Sequence, residues 1–257
     1  LLLTIHDANF LTEKKPKTAA RYKHRLQNKI NRANAVTAIS QYTAGYINKN
    51  FDLKNNKIQV ILNGVEYISN RETSKPEFVS GDRPFFFTIG QVRKKKNFNK
   101  LVDFMDAFPE YDLYICGDPD DDYAGEIREN IATKKLSNVF MPGAISEEEK
   151  NWMYKNCKAF FLPSQGEGFG LPVIEAMQYG KAVFVSNFTS LPEISGGHAF
   201  IWHNLERDSM IKVIKDNLEN FYANEQNMEN VKQYANTFSY DRHIKSYLEL
   251  YEKLLFQ

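Results

Sequence analysis

Short apolar runs alternate with amphipathic segments along most of this chain. Between most of the runs, apolar residues recur at helical spacing, as in residues 97–108, 146–156 and 171–180. Buried strands alternating with helices are typical of βαβ units and parallel sheets, so the pattern predicts an α/β fold. Eight runs have the length and composition of buried strands, and they span residues 1–6, 35–40, 58–64, 85–90, 112–117, 138–143, 159–164 and 182–187.

The polar segment 66–84 divides the chain into unequal parts. It contains two prolines and one glycine and has no sustained periodicity, which is typical of a linker. Residues 1–65 supply about three predicted strands, too few for a complete doubly wound sheet, whereas residues 85–237 supply the others. We expect a final helix over 238–257 whose apolar positions pack on a domain surface. Those positions are Ile244, Tyr247, Leu248, Tyr251 and Leu255.

Composition and charge exclude several classes of protein. The 257 residues carry a net charge of +1, so bulk attraction to nucleic acid is not indicated. No apolar run approaches the roughly 20 residues that a membrane span needs. Cys116 and Cys157 are too few for a disulfide framework and lack metal-ligand spacing, so we interpret both as core thiols in a reducing, cytoplasmic compartment. The chain begins without a methionine or a signal peptide, so we expect it to be the interior of a longer protein.

The stretch SQGEGFGLPVIEAM at residues 164–177 predicts a strand, a glycine-rich turn and a helix in succession. In a parallel sheet such a turn lies at the carboxyl edge, where the free amides of the new helix suit a phosphate. Gly168 and Gly170 would let the backbone approach a ligand. Glu167 precedes the helix and Glu175 is expected in its first turn, so both carboxylates can face one pocket and accept hydrogen bonds from neutral hydroxyls. The alternative is a structural turn with a solvated Glu167, in which Glu175 only favours the helix dipole.

A second glycine turn follows a predicted strand in TIGQVRKKKNFNKL, residues 88–101. Four consecutive cations at 93–96 are usually a solvated charge run, but this run lies at the edge of the second domain's first strand, where a phosphate clamp would lie. If Arg93 and Lys96 face a diphosphate, they stabilise the negative charge that builds on a leaving phosphate. The following helix is expected to begin at Asn97.

The segment EGFGLPVIE resembles the glutamate-seven-residues-glutamate signature of glycosyltransferase family 4, whose members are retaining enzymes of the GT-B fold that use nucleotide-diphosphate sugars. The resemblance extends over nearly the whole chain. TIHD at 4–7, AVTAISQYT at 35–43 and ILNGV at 61–65 resemble segments of the family's N-terminal domain, and the last helix resembles the one that returns to that domain. Residues 163–194 are similar to the family's most specific block.

The resemblance implies an architecture of two Rossmann-like domains with parallel sheets. Residues 1–65 would be the remainder of the N-terminal, acceptor-side domain, whose front is missing. Residues 85–237 would be the C-terminal domain that binds the nucleotide sugar, and residues 238–257 would pack back toward the first domain. In this family the missing part binds the acceptor.

The resemblance also implies roles for individual residues. Glu167 would contact the donor sugar and Glu175 the ribose. Arg93 and Lys96 would hold the diphosphate, and His6 would approach the transferred sugar from across the cleft. Backbone groups would complete the donor site at Gly90, Gly168, Phe169, Gly170, Leu171 and Val173.

One departure from the family pattern concerns the phosphate clamp. Many members have arginine directly after the strand's glycine, where this chain has Gln91, and Arg93 would take that role. The resemblance implies neither a metal ion nor another cofactor.

An acidic turn offers a competing signal. CGDPDDDYAG contains Asp118, Asp120, Asp121 and Asp122, and paired aspartates can hold Mg²⁺ or Mn²⁺ in glycosyltransferases of the other major fold. The cluster follows a predicted strand as a polar turn and lacks a second acidic motif, which favours a solvated loop.

A basic segment over residues 14–32 contains eight Lys or Arg residues and no acid. Ala19, Tyr22, Leu26 and Ile30 form a narrow apolar stripe along it. Such a helix can dock on anionic lipid, which would suit a lipid-linked acceptor and peripheral contact with the inner face of the membrane. The alternative, which we prefer, is a solvated helix face packed on its own sheet.

These patterns together predict a retaining hexosyltransferase of the GT-B fold. It would move a sugar from a UDP- or GDP-linked donor to a hydroxyl of a glycan or lipid-linked acceptor in cell-surface polysaccharide synthesis. Two alternatives remain open. A nucleotide-sugar epimerase would share the fold, and a non-catalytic nucleotide-binding fragment is compatible with an acceptor domain that residues 1–65 cannot complete.

Overall fold

A computed structural model describes residues 1–54, 57–67 and 71–256. Of residue 121 it describes the backbone and not the side chain. Residues 68–70 of the predicted linker and the last residue of the predicted final helix therefore lie outside the described residues, as does the side chain of Asp121 in the acidic turn. The described part of 66–84 contains no helix or strand.

A small three-stranded sheet forms the N-terminal domain. Its strands β1 (Leu2–Ile5), β2 (Ala35–Ala38) and β3 (Ile58–Val60) are parallel and lie in chain order. The helices between them are α1 (Phe10–Glu13), α2 (Pro16–Arg32) and α3 (Gln41–Asn50). A buried apolar cluster of this domain contains Ile5, Ala8, Ile30, Val36, Ile47 and Phe51.

A six-stranded parallel sheet forms the C-terminal domain. Every predicted strand of this half forms, and four of the five bury apolar side chains on both faces of the sheet, whereas the run over 138–143 leaves Phe140 exposed. Phe86, Phe104, Phe161, Phe184 and Trp202 lie fully buried around its centre. The strands are β4 (Phe85–Ile89), β5 (Asp112–Cys116), β6 (Val139–Gly143), β7 (Ala159–Leu162), β8 (Ala182–Ser186) and β9 (Phe200–Trp202).

The strand order β6-β5-β4-β7-β8-β9 creates a switch point. From β4 the chain proceeds to one side through β5 and β6, and from β7 it proceeds to the other side through β8 and β9. Parallel α/β sheets bind ligands in the crevice that opens where this reversal occurs. The loops that follow β4 and β7, which are the two glycine turns of the sequence, therefore lie side by side.

The helices of the C-terminal domain cover both faces of its sheet. The helix expected to begin at Asn97 is broken, since a 3₁₀ turn at Lys94–Lys96 ends on Asn97 with a left-handed φ of 54°. A short α4 (Asn99–Val102) and a second 3₁₀ turn at Met105–Ala107 follow. The remaining helices are α5 (Asp121–Thr133), α6 (Glu147–Asn156), α7 (Leu171–Gln178), α8 (Leu191–Ser195), α9 (Arg207–Tyr222), α10 (Glu225–Asn236) and α11 (Tyr240–Leu255).

The chain crosses between the domains twice, at adjacent positions. The Val65 N–H donates to the Phe238 carbonyl at 2.7 Å, and α11 then runs along the small sheet, where the Tyr247 hydroxyl lies 2.9 Å from Thr4 Oγ1. The expectation that the apolar stripe of α11 packs on a domain is wrong for four of its five positions. Tyr247 and Leu250 face the protein, whereas the exposed positions are Ile244, Leu248, Tyr251 and Leu255.

Two expectations about the whole chain can be compared with this structure. Both cysteines are free and buried, as the interpretation of core thiols predicts. Within residues 1–54, 57–67 and 71–256, no helix is long and apolar enough to cross a membrane.

Candidate active site

A cleft of about 340 Å³ lies between the two domains, at the carboxyl ends of β1, β4 and β7. The N-terminal domain contributes Asp7, Glu13 and Tyr42 to its lining. The C-terminal domain contributes Lys95 from the loop after β4 and Glu167 from the loop after β7. The cleft therefore coincides with the switch point that the strand order creates.

The four consecutive cations do not act as one patch. In a 3₁₀ turn successive side chains point about 120° apart. The three lysines of this turn accordingly pair with three different carboxylates. Lys94 pairs with Glu126 at 3.5 Å on the surface, Lys95 pairs with Glu13 of the N-terminal domain at 3.1 Å, and Lys96 pairs with Glu167 at 2.6 Å.

Arg93 differs from its three neighbours. Its side chain is exposed, and it makes no side-chain hydrogen bond or ion pair with any residue that the structure describes. The structure thus brings Lys96, but not Arg93, into direct contact with Glu167.

The Lys96–Glu167 pair is more shielded than the Lys95–Glu13 pair, and of its two members Glu167 is the one that lines the cleft. Only 13% of the Lys96 side chain and 14% of the Glu167 side chain are exposed. Gly90 lies beside the ammonium group, since a Cβ at that position would be in ordinary contact with Lys96 Nζ at 3.5 Å. Charged groups held away from water interact strongly with each other and with any charge that enters beside them.

The loop that carries Glu167 is fixed by side chains from the neighbouring loop. The Glu167 N–H donates to Thr189 Oγ1 at 3.0 Å. The Ser190 hydroxyl lies 3.1 Å from the Glu167 carbonyl and 3.0 Å from the Phe169 carbonyl. Asn97 Nδ2 donates to the Pro163 carbonyl at 3.1 Å. The loop is therefore held in place largely by hydrogen bonds to its backbone.

The glycines of this loop have two different uses. A Cβ on Gly168 would lie 2.2 Å from the His6 carbonyl oxygen, so only glycine allows the two domains to approach this closely. Gly170 has a φ of 105° directly before α7, a conformation that side-chain-bearing residues rarely adopt.

The predicted donor-binding residues after Gly168 contribute in different ways. The side chains of Phe169 and Val173 are buried in the core, with 3% and 0% of their surfaces exposed. Only their backbone groups are left for a ligand. Leu171 opens α7 and is 38% exposed.

Glu175 lies deeper in the helix than the sequence suggests. It is the fifth residue of α7, so the expectation of a position in the first turn is wrong. Its carboxylate accepts a hydrogen bond from the buried Tyr154 hydroxyl at 2.8 Å and lies 3.5 Å from Lys150 Nζ. Burial, and secondarily Glu175, holds the pKa of Tyr154 well above its usual value, so the phenol stays protonated and donates.

The two glutamates consequently have separate surroundings. Glu167 lines the 340 Å³ cleft, whereas Glu175 is not among the residues that line it. The α7 helix connects them, with Glu167 held by Lys96 and Glu175 held by Tyr154 and Lys150.

His6 lies directly after β1, opposite the loop of Glu167. Its side chain is exposed and lines a neighbouring groove together with Tyr22 and Arg25 of α2. Its backbone carbonyl is the group that Gly168 accommodates. The structure therefore places His6 across the cleft from the loop that carries Glu167, with its imidazole open to solvent.

Sequence reasoning missed a set of contacts that join the two domains. The Ser40 hydroxyl lies 2.9 Å from the Gly168 carbonyl, and the Glu193 carboxylate accepts hydrogen bonds from Gln41 N and Tyr42 N. Both residues lie in segments that resemble the family, Ser40 in AVTAISQYT and Glu193 in SLPEI, which is the signal that could have identified them.

The acidic turn at Asp118 to Asp122 leads into α5. Asp118, Asp120 and Asp122 are not part of any group of three or more His, Cys, Asp or Glu side chains that could hold a metal, a search restricted to the described side chains.

Comparisons with known proteins agree with this arrangement. The family model described as "Glycosyl transferases group 1" matches residues 69–238, and the model described as "Glycosyltransferase Family 4" matches residues 1–67. The serotype-specific mannosyltransferase WbdA of Escherichia coli is 28% identical over 179 residues, which cover 64% of this chain and 22% of that protein. The O-antigen chain mannosyltransferase B of the same species is 26% identical over 209 residues, which cover 75% of this chain and 54% of that protein. The chain thus spans about half, or less, of these relatives.

Solved structures show the fold. The sucrose-phosphate synthase of Thermosynechococcus elongatus superimposes with a TM-score of 0.83 at 18% identity, covering 99% of this chain and 67% of that one. HepE of Anabaena, solved in complex with UDP-glucose, has a TM-score of 0.83 at 19% identity, covering 98% and 72%. The prediction of a GT-B architecture with a small N-terminal domain is confirmed.

Proposed function

This chain belongs to the group 1 glycosyl transferases, and from that premise we propose that it transfers a hexosyl residue from a nucleotide-diphosphate sugar to a hydroxyl of a glycan or lipid-linked acceptor, with retention of configuration. The reaction would serve cell-surface polysaccharide synthesis. The two mannosyltransferase relatives and the UDP-glucose complex of HepE support this class of donor and product.

The Lys96–Glu167 pair is the observation that carries the proposal. It lies at the switch point with both side chains largely shielded from water, and Glu167 lines the cleft that the N-terminal domain borders on the other side. A donor diphosphate would compete with Glu167 for the Lys96 ammonium. Glu167, freed from that ion pair, would then accept hydrogen bonds from hydroxyls of the transferred sugar, while Lys96 neutralises charge on the departing phosphate.

Glu175 serves the other end of the donor in this proposal. A carboxylate has about four lone-pair sites, and Tyr154 and Lys150 each occupy one, on different oxygens. The remaining sites would accept hydrogen bonds from the ribose hydroxyls. The phenol and the ammonium fix the orientation of the carboxylate before the donor binds.

The remaining roles follow the same geometry. The backbone of the loop from Gly168 to Val173 would contact sugar and phosphate, and Arg93, exposed and unpaired among the described residues, would provide a second cation for the diphosphate. His6 would approach the sugar from the N-terminal side. We further propose same-face attack in which the departing phosphate accepts the acceptor's proton, with no covalent enzyme intermediate and no metal ion, so that chelation with EDTA leaves turnover unchanged.

A comparison of the lysines tests the phosphate clamp. Lys96→Ala should lower kcat about 10²-fold or more, because the group acts on charge that develops in the transition state. Arg93→Ala should lower kcat less. Lys94→Ala is the matched control, since this lysine is 83% exposed and pairs only with Glu126. Turnover is measured with a panel of UDP- and GDP-sugars, and the products are analysed by NMR. Wild-type turnover of Lys96→Ala would contradict the proposal that Lys96 holds the diphosphate.

Calorimetry tests the donor site independently of the acceptor. Glu175→Ala should weaken binding of the nucleotide sugar about tenfold, as loss of hydrogen bonds to a charged group predicts. If Glu175→Ala bound the nucleotide sugar with wild-type affinity, the assignment of Glu175 to the ribose would be wrong.

The structure agrees with the preferred interpretation of α2 as a helix packed on its own sheet with a solvated basic face, and we also propose that this basic face contacts the inner face of a membrane. Its predicted apolar stripe is largely used inside the protein, since Ala19 and Ile30 are buried and Leu26 is half-buried. The basic residues of 14–32 are all exposed, which supports contact by charge without insertion. Sedimentation with anionic vesicles should retain the protein at low salt and release it at high salt, and binding to neutral vesicles alone would contradict the proposal.

A further inference from the structure

One carboxylate of the C-terminal domain binds the beginning of a helix in the N-terminal domain. Glu193 lies in α8, and its two oxygens accept hydrogen bonds from Gln41 N at 2.7 Å and Tyr42 N at 2.8 Å. These are the first two residues of α3. Both hydrogen bonds that the Glu193 side chain makes with the described residues go to the other domain.

The chemistry of a helix start explains why these contacts are favourable. The first amides of a helix have no partner within the helix, and its N-terminus carries a partial positive charge. Ser40 satisfies the Thr43 N–H at 3.1 Å, and Glu193 satisfies the two amides before it. Hydrogen bonds from amides to a carboxylate are charge-assisted and shorter than neutral ones.

The same helix turn also contacts the loop that carries Glu167. The buried Ser40 hydroxyl donates to the Gly168 carbonyl at 2.9 Å, and Thr43 Oγ1 lies 3.4 Å from the same oxygen. Gly168 in turn adjoins the His6 carbonyl. The start of α3 is thus held against both α8 and the loop that carries Glu167.

We propose that Glu193 is a positioning residue that clasps the start of α3 and thereby holds the two domains in the closed arrangement. Rotation about the two chain crossings would expose Glu193 and the α3 amides to water, which hydrates both. The clasp therefore biases the domains toward closure without locking them. The Lys95–Glu13 ion pair also joins the two domains, but with 28% and 38% of its side chains accessible it contributes little.

A pair of substitutions can remove the clasp from either side. Glu193→Ala removes the carboxylate. Gln41→Pro removes one of the two amides it binds, and proline is tolerated at the first position of a helix. Ser40 is already extended, with φ −155° and ψ 158°, as the residue before a proline prefers. Gln41→Ala keeps the amide and is the matched control, as is Glu77→Ala for an exposed glutamate elsewhere.

Distances between spin labels report closure without any substrate. Labels at Lys49→Cys and Glu225→Cys, both exposed and in different domains, avoid the buried native cysteines. Glu193→Ala should broaden and lengthen this distance distribution, Gln41→Pro should do so less, and the double variant should match Glu193→Ala alone. Glu193→Gln should restore part of the closed population. An unchanged distribution in Glu193→Ala overturns the proposal.

The kinetic consequence rests on the proposed function. Glu193→Ala should lower kcat/KM for the acceptor about tenfold or more, while calorimetric donor affinity changes less than twofold. Wild-type kinetics in Glu193→Ala would also overturn the positioning role. If the wild-type chain transfers no sugar but the label distances lengthen as expected, the clasp stands and the proposed function fails.

Discussion

The two sheets of this protein achieve stability in different ways. The C-terminal sheet has six strands, and the side chains at its centre form a continuous group of aromatic rings. The N-terminal sheet has three strands and a buried apolar cluster of six residues. A large core fixes its own loops, whereas a small one depends on contacts from outside. Those contacts are α11, through Tyr247, and the Glu193 clasp.

This difference explains where the groups of the site are fixed. Lys96, Glu167 and Glu175 come from loops and a helix of the large sheet, where buried serines and Tyr154 hold them in position. The N-terminal side contributes backbone, as at His6, and a helix whose start is held by the other domain. We infer that the donor side of the cleft is rigid and that the N-terminal side adjusts its position.

The largest effect should come from the centre of the large sheet. Phe161→Ala removes a ring that lies 4.7 Å from Phe86, 5.5 Å from Phe184 and 5.4 Å from Trp202 between ring centroids. The cavity should lower the free energy of unfolding by about 3–5 kcal/mol. Urea unfolding measures this, with the 40% exposed Phe188→Ala as a control. A similar loss in both variants would mean that the aromatic centre is not the main source of stability.

A smaller and more local effect should follow from the N-terminal core. Ile47→Ala removes a fully buried side chain from the six-residue cluster and should cost about 2 kcal/mol, the low end for such changes, because a small cluster can relax around the cavity. Hydrogen exchange should show β1 to β3 losing protection while β4 and β7 keep theirs. Equal loss in both sheets would show that they unfold as one unit.

The smallest effect should come from a surface ion pair of the C-terminal domain. A hydrogen bond from Arg207, and secondarily its positive charge, lowers the pKa of Asp106 below 3.8 despite slight burial. A depressed pKa in the folded state stabilises the protein above the unfolded value, and this contribution disappears as the pH falls through the folded pKa. Because the two side chains are 52% and 41% exposed, Asp106→Asn should cost less than about 1 kcal/mol.

Urea unfolding near neutral pH and again below the folded pKa checks this prediction. The difference in the free energy of unfolding between Asp106→Asn and wild type should vanish at the lower pH. A cost at neutral pH equal to that of Phe161→Ala would contradict the view that this domain is stabilised mainly by its core.

The strands were the most predictable part of the fold. A run such as FFFTI is apolar on both faces and short, and that pattern suits only a buried strand between helices. β9 (Phe200–Trp202) was not among the predicted runs; β3 is equally short, but it begins a longer run over 58–64 that carries the signal. The 3₁₀ turn at Lys94–Lys96 and its left-handed end at Asn97 were not predicted. Nothing in this part of the sequence distinguishes such a turn from the first turn of a helix.

The candidate site was predictable as a set of segments and not as a set of contacts. The sequence by itself determined the α/β class, the two glycine turns and the presence of Lys96, Glu167 and Glu175 near them, because periodicity and turn chemistry act over a few residues. Only the tertiary structure decided that Lys96 and not Arg93 pairs with Glu167, and that Glu193 binds α3. Those partners are 71 and 152 residues apart in the chain. Strand order and the direction of each side chain bring them together, and both depend on the packing of the whole molecule.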